Sequence, residues 1–243
     1  PAEGVCKREH SEMLSFEELT EIVRTAVSLG VSKVRLTGGE PLVRSGIVDL
    51  CRSLRAVNGV RELTMTTNGA LLPQYAAELK QAGVDRLNIS LDTLNEDKFA
   101  ALTRGGSRAE TLAGLDAAWN AGFRGTKLNV VLLGGVNADE IPALAQLAQD
   151  GKYEVRFIEL RPIGECTDWP RERFLSADAV LHALPELQRL PNEGVAERYR
   201  MPGWKGKIGL IRPMSHRFCA DCDRIRVTAD GRLKPCLHSA QEI

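Results

Sequence analysis

A chain of 243 residues, 43% of them hydrophobic, can bury one large core, and α/β barrels commonly reach this length as one domain. Its 32 basic and 32 acidic residues cancel, so no whole-chain field draws it to nucleic acid or an anionic membrane, and an anionic ligand has to be held by local clustering. No apolar run nears about 18 residues, no secretory leader or low-complexity tract is read, and six cysteines are too sparse for a disulfide scaffold, which predicts a cytoplasmic protein whose thiolates stay free for metal.

In chain order, Ser15-x-x-Glu18 is a capping box that opens the amphipathic segment SFEELTEIVRTAVSL, ending at Gly30. A β-rich run from Lys33 to Thr37 follows and closes on LTGGEP, where Gly38 and Gly39 permit close backbone approach at a strand end. Alone, Gly-Gly-Glu-Pro reads equally as a plain turn. The next strand candidates are Glu62 to Thr67, leading into TTNG, and Arg86 to Leu91, leading into NISLD. Ser107-x-x-Glu110 opens a second helix that stops near Gly122, and strands are predicted again at Lys127 to Leu132 and Tyr153 to Leu160. A repeating βα unit closes into a barrel or spreads into a doubly wound sheet, and the lack of G-x-G-x-x-G after a strand favours a full or partial barrel.

At period two, Lys33, Arg35 and Thr37 share one face, as do Thr64, Thr66 and Asn68, then Asn88, Ser90 and Asp92, then Lys127 and Asn129. The opposite phase is apolar: Val34, Leu36, Leu63, Met65, Leu87, Ile89, Leu91, Leu128 and Val130 are predicted to pack against the helices. Ordinary barrels plug the lumen with branched apolar side chains, so a polar lumen implies a cavity for a polar ligand. An antiparallel sheet with one wet face shows the same alternation, but interleaved helices require crossovers and favour the cavity. Lys33, Arg35, Lys127 and Arg156 point inward on this reading, and Arg224 and Arg226 stand just past a cysteine pair, six cations that call for an anion such as phosphate. With no Walker-type loop, side chains rather than backbone would grip it.

Near the C-terminus, FCADCDRIRVTADGRLKPC sets Cys219, Cys222 and Cys236 in the pattern C-x2-C-x13-C, a metal or cluster ligand set without a fourth thiolate. His216 and His238 flank it, so a Cys3His zinc site is an equal reading of these residues. Cys51 in IVDLCRSL lies on an apolar helix face and reads as core, while Cys6 and Cys166 sit in polar, loop-like segments outside any ligand spacing.

Taken together, KVRLTGGEPLVR, TMTTNG, LNISLD, KLNVV, VRFIEL and FCADCDRIRVTADG, in that order along essentially the whole chain, resemble the radical S-adenosylmethionine enzymes and, within them, the molybdenum cofactor biosynthesis protein A family of GTP 3′,8-cyclases. The resemblance implies an α/β fold, an incomplete (βα)6 TIM-type barrel with a C-terminal iron-sulfur extension. Residues 1–160 would form the partial barrel, and residues 161–243 would carry the second-cluster cysteines and close the barrel mouth. Implied cofactors are S-adenosylmethionine and two 4Fe-4S clusters, one at each end of the lumen. By position, Cys219, Cys222 and Cys236 match the C-terminal cluster ligands, whose fourth iron is left to the guanine of the substrate. Gly38, Gly39, Glu40, Ser90 and Arg161 match the region of the S-adenosylmethionine contacts, although the family commonly has Met where Arg161 stands. Arg35, Thr66, Lys127, Arg224, Ile225 and Arg226 match positions that contact GTP, with Lys33 and Arg156 nearby, and no catalytic side chain is assigned.

In that family a 5′-deoxyadenosyl radical takes hydrogen from the ribose 3′ carbon of GTP, and the new radical attacks carbon 8 of the purine, which a closed lumen protects from side reactions. The resemblance also implies an electron donor such as flavodoxin or ferredoxin, cyclic pyranopterin monophosphate synthase as the next enzyme, and a homodimer as an allowed assembly, with neither nucleic acid nor membrane as partner. The family's first motif, C-x3-C-x2-C, does not occur between Pro1 and Ile243, so the sequence reads as a fragment that does not perform the radical chemistry alone. The rival readings are a peptide-modifying radical enzyme with an auxiliary cluster and a zinc-stapled, non-enzymatic barrel; the inward arginines favour a nucleotide.

Overall fold

In the computed structural model, which describes residues 12–163, 166, 169–239 and 241–243 and only the backbone of 221, the capping box at Ser15 forms in both directions. Ser15 Oγ accepts from the Glu18 N–H at 3.2 Å and Glu18 accepts from the Ser15 N–H at 2.8 Å, which starts α1 (Phe16–Ser28). The chain then alternates β1 (Lys33–Leu36), α2 (Ile47–Arg55), β2 (Glu62–Thr67), α3 (Leu72–Gln81), β3 (Arg86–Ser90), α4 (Glu96–Thr103), α5 (Arg108–Asn120), β4 (Thr126–Leu132), α6 (Ile141–Gln146) and β5 (Tyr153–Glu159). Ser107 caps α5 by accepting from the Glu110 N–H at 3.4 Å. Beyond β5 come α7 (Asp178–Ala183), β6 (Gln188–Glu193), β7 (Ala196–Arg200) and β8 (Lys207–Ile211), then a small antiparallel pair, β9 (Arg226–Val227) and β10 (Leu233–Lys234).

The five predicted strands all form, within a residue or so of their expected ends, and pair side by side in parallel. β8 joins β5 as a sixth parallel strand, and β7 and β6 extend the sheet antiparallel, giving the order β1-β2-β3-β4-β5-β8-β7-β6. Six parallel strands interleaved with helices are the predicted incomplete barrel, an α/β fold. The sequence reading missed β6, β7 and β8. KIGLI is a short apolar run without alternation, and β6 is polar and carries Pro191 where its pairing with β7 breaks register, a placement that only an edge strand tolerates.

Leu63, Met65, Leu87, Ile89, Leu128, Val130, Val155, Phe157, Ile208 and Leu210 are all 1% exposed or less and form the helix-facing layer of the sheet. They pack with Leu50, Leu54, Leu72, Leu79, Leu115 and Leu144 from the helices, each burial contributing about 1.5–3 kcal/mol. Val34 and Leu36 are only half-buried because β1 is an edge strand.

Helix α5 lies tightly on the turn that ends β2. Thr111 Oγ1 donates to the Asn68 carbonyl at 3.1 Å, and Gly114 leaves room for the carbonyl of Gly69, whose φ of 87° suits only glycine. A methyl group at residue 114 would press on that carbonyl oxygen. Gly114→Ala should therefore destabilise the protein by about 1–3 kcal/mol in urea unfolding. A wild-type midpoint would show that α5 can retreat without loss.

Candidate functional site

The inner face of the sheet is polar in three successive layers of register partners. Arg35, Thr64 and Arg86 form one; Thr66, Asn88, Lys127, Glu154 and Lys207 form the next; Ser90, Asn129, Arg156, Gly209 and Arg198 form the third. The period-two reading of this face is borne out, but its charge balance is corrected. Glu62 pairs with Arg86 at 2.7 Å, Glu154 with Arg156 at 2.6 Å, and Glu193 with Lys127 at 2.7 Å and Arg198 at 2.9 Å. Lys127 and Arg156 are therefore partly neutralised from within. Lys33 has a side chain 73% exposed, with Glu62 at 4.0 Å, so it sits at a rim.

Arg35 is different. Its Nε donates to Thr64 Oγ1 at 3.3 Å, but it forms no ion pair among the described residues. The open lumen leaves it accessible while protein surrounds it on most sides. Desolvation, then the nearby Arg224, Arg86 and Arg156, push its guanidinium down to about 10, with Glu62 opposing. Such a group gains from any anion that enters. Thr66 accepts weakly from Asn88 at 3.4 Å, and Ile225 stands 61% exposed between Arg224 and Arg226.

The three predicted cysteine ligands come together. Cys219, Cys222 and Cys236 line a single cavity of about 310 Å³, with Arg161, Arg217, Arg224, Arg226 and His238 among its walls. Cys219 opens a short 3-10 turn, the Cys222 N–H donates to the Cys219 carbonyl at 3.3 Å, and the β9–β10 hairpin returns the chain to Cys236. The His238 N–H donates to Cys236 Sγ at 3.4 Å, the kind of bond that tunes a metal-bound sulfur. His216 instead lies against Arg212 and Ser215.

The loop that leads to Cys219 hangs on Glu159 at the end of β5, which is 1% exposed. It accepts from the Ala177 N–H at 3.1 Å, the Met214 N–H at 3.1 Å, the Ser215 N–H at 2.9 Å and the Ser215 hydroxyl at 2.5 Å. Burial alone would push this carboxyl up, but these donors outweigh it and hold it below the usual range.

The donor set fits an iron-sulfur group. Three thiols line one cavity beside Arg161, Arg224 and Arg226, soft donors with cationic neighbours, while among the described residues no three Cys, His, Asp or Glu side chains converge on a single metal ion. All three cysteines are exposed residues. Arg161, Arg224 and Arg226 line the same cavity and would balance the negative charge of thiolate ligation. Desolvation, then Arg226 and Arg224, lower the pKa of Arg161, and Cys236 and Cys222 oppose the shift.

At the other strand ends, Gly38 and Gly39 have nothing within 4 Å of where a Cβ would stand, so their backbone is open to a cofactor. Glu40 is engaged by protein: it accepts from Thr67 Oγ1 at 2.8 Å, the Asn68 N–H at 2.7 Å and the Leu42 N–H at 3.1 Å, and thereby fixes the Gly-Gly edge. Ser90 is exposed at the end of β3. Asp92, pushed up to about 6 by burial, accepts from the Val131 N–H at 2.7 Å. Arg161, matched by resemblance to the cofactor region, lines the cysteine cavity. Cys51 is core, its thiol pushed up to about 12 by burial; Cys166 is half-buried and Cys6 lies outside the described residues.

Sequence reasoning missed Glu62, Arg86, Glu154, Glu193 and Arg198. The first three lie within the predicted strands, in phase with the inward positions Thr64, Asn88 and Arg156, and carrying each polar face one repeat toward its strand's start would have found them. Glu193 and Arg198 lie on the unread hairpin.

Residues 5–148 match the model of the radical SAM superfamily, and residues 153–243 match that of Molybdenum Cofactor Synthesis C. The GTP 3′,8-cyclase of Alkaliphilus oremlandii is 49% identical over the whole chain and 77% of its own length; that of Peptoclostridium acidaminophilum is 50% identical over the whole chain and 76% of its length. Among solved structures, methylornithine synthase superposes with a TM-score of 0.59 at 19% identity, covering 74% of this chain and 54% of its own. Coproporphyrinogen III oxidase from Escherichia coli gives 0.53 at 16% identity, covering 86% and 58%. These structural likenesses show the fold, and identity over the full chain shows the rest: the chain belongs to the radical SAM superfamily, in the family of the GTP 3′,8-cyclases.

Proposed function

We propose that this chain binds GTP along the polar lumen and serves its cyclisation between the ribose 3′ carbon and carbon 8 of guanine, a step of molybdenum cofactor biosynthesis. The observation that carries the reading is the run of arginines without carboxylate partners among the described residues, Arg35, Arg224, Arg226 and Arg161, which joins the polar lumen to the cysteine cavity. Cys219, Cys222 and Cys236 would hold a 4Fe-4S group, and the backbone of Gly38 and Gly39 with Ser90 would receive S-adenosylmethionine. When bound, these groups supply one-electron, hydrogen-abstracting chemistry and an iron position open to the base.

The chain's own residues do the rest. Arg35, Lys127 and Arg156 bind phosphate, with Lys33 at the rim; Thr66 offers a hydroxyl beside them, and Arg224 and Arg226 flank the base with Ile225 as an apolar contact. Fixing both ends of the nucleotide orients the ribose between them. A donor of flavodoxin or ferredoxin type would deliver the electron, and cyclic pyranopterin monophosphate synthase would take the product, in the cytoplasm. No helix among the described residues is long and apolar enough to cross a membrane.

Calorimetric titration of GTP into the anaerobically reconstituted protein tests this. Arg35→Ala and Arg226→Ala should each weaken binding about tenfold with the melting temperature unchanged, since each removes a charge-assisted contact from a polar cavity. Unaltered affinity in both variants would overturn the assignment.

A further inference from the structure

The outermost hairpin of the sheet delivers a carboxylate into the cationic lumen. Glu193 ends β6 and its side chain is 48% exposed, yet it lies 2.7 Å from Lys127 on β4, 2.9 Å from Arg198 on β7 and 3.6 Å from Arg156 on β5. Gly209, on the intervening β8, is the register partner of both Arg156 and Arg198, and its missing side chain leaves the space between them open. A Cβ there would stand 3.1 Å from Arg156 Cγ. The break in pairing between Leu190 and Glu193 falls where such irregularities re-aim side chains.

One carboxylate thus gathers cations from three strands. Arg156 also keeps Glu154 at 2.6 Å, but Lys127 and Arg198 form no other ion pair among the described residues. Arg198 Nε is buried without an acceptor, so this guanidinium holds a donor in reserve. The hydrogen bond from Lys127 is the chief reason that Glu193 is held down to about 2, and the group is charged throughout the neutral range. Carboxylate and phosphate oxygens accept the same forked and point-charge donors.

We propose that Glu193 is a built-in surrogate for a ligand phosphate, occupying Lys127, Arg156 and Arg198 until a polyphosphate displaces it and so setting the charge an anion must bring to enter. This rests on reading the lumen as a nucleotide site, and it adds Arg198 to that site. A tethered carboxylate competes at high effective concentration, so orthophosphate, with one phosphoryl group of charge roughly −2, gains little by displacing it. A triphosphate presents three linked phosphoryl groups, and a larger total charge, to the same cations. The triphosphate is the ligand that this arrangement selects.

Calorimetry with inorganic tripolyphosphate, using orthophosphate as competitor, tests the proposal on the wild type, Glu193→Gln and Glu193→Asp, each checked for an unchanged melting temperature. Glu193→Gln should bind tripolyphosphate about tenfold more tightly and let orthophosphate compete at concentrations the wild type ignores. Glu193→Asp keeps the charge on a shorter arm and should fall between them. If both variants bind tripolyphosphate no more tightly than the wild type, Glu193 is scaffold and the proposal is overturned; should only Glu193→Gln fail to fold, Glu193→Asp decides alone. GTP titrated in parallel separates the two readings: tripolyphosphate shifts without GTP binding would sink the substrate assignment and leave the surrogate standing.

Discussion

Cys222→Ser should remove nearly all of the iron and sulfide that the wild-type chain takes up on anaerobic reconstitution at its C-terminal site, together with the broad visible absorbance. Three thiols open into that cavity, and no other cysteine among the described residues lines it. Two thiolates and a serine hydroxyl, a hard donor with a high pKa, cannot replace three soft ligands. The cysteine is exposed, so its exchange leaves the core intact, and the melting temperature of the metal-free protein should stay at its wild-type value. Chemical assay of iron and sulfide settles the matter. Wild-type content in the variant would exclude Cys222 as a ligand, and stoichiometric colourless zinc in the wild type would favour the zinc-stapled reading.

Glu159→Ala should be the most damaging polar substitution in the barrel, at about 3 kcal/mol or more by urea unfolding at neutral pH. It strips the acceptor from three backbone N–H groups and one hydroxyl, and each buried donor left unsatisfied costs about 1–3 kcal/mol. The effect has a signature in acid. The folded-state pKa of Glu159 lies below its ordinary value, so its stabilisation is complete above the unfolded value of about 4.3 and fades as pH falls through the lower folded one. The stability gap between wild type and variant should therefore narrow below about pH 4. A constant gap from pH 7 to pH 3 would mean that the ionised carboxylate stabilises the fold no more than its protonated form does.

The parallel half of the fold was legible because its signals are local. Strand phase follows from alternation, and the Ser15–Glu18 capping box marks a helix start within four residues. The cysteine site was legible through spacing, although sequence alone could not choose zinc or cluster; the structure adds the shared cavity and its arginines, and the assay of iron and sulfide makes the choice. The hairpin was not legible. Glu193 lies 66 residues from Lys127 in the chain, and only the unforeseen insertion of β8 between β5 and β7 brings them together. Excess positive charge in the lumen was overestimated for the same reason, since a carboxylate arriving from a polar edge strand leaves no periodic trace.

The seam between the two matched sequence families falls between β4 and β5, yet these strands share seven register pairs in one sheet. Peeling the cysteine-bearing half away would split the sheet between β4 and β5 and wet the register partners Val130 and Phe157, so the halves should melt as one cooperative unit. Tight binding at the thiol end then raises the unfolding midpoint of the glycine end as well, without any moving part between them.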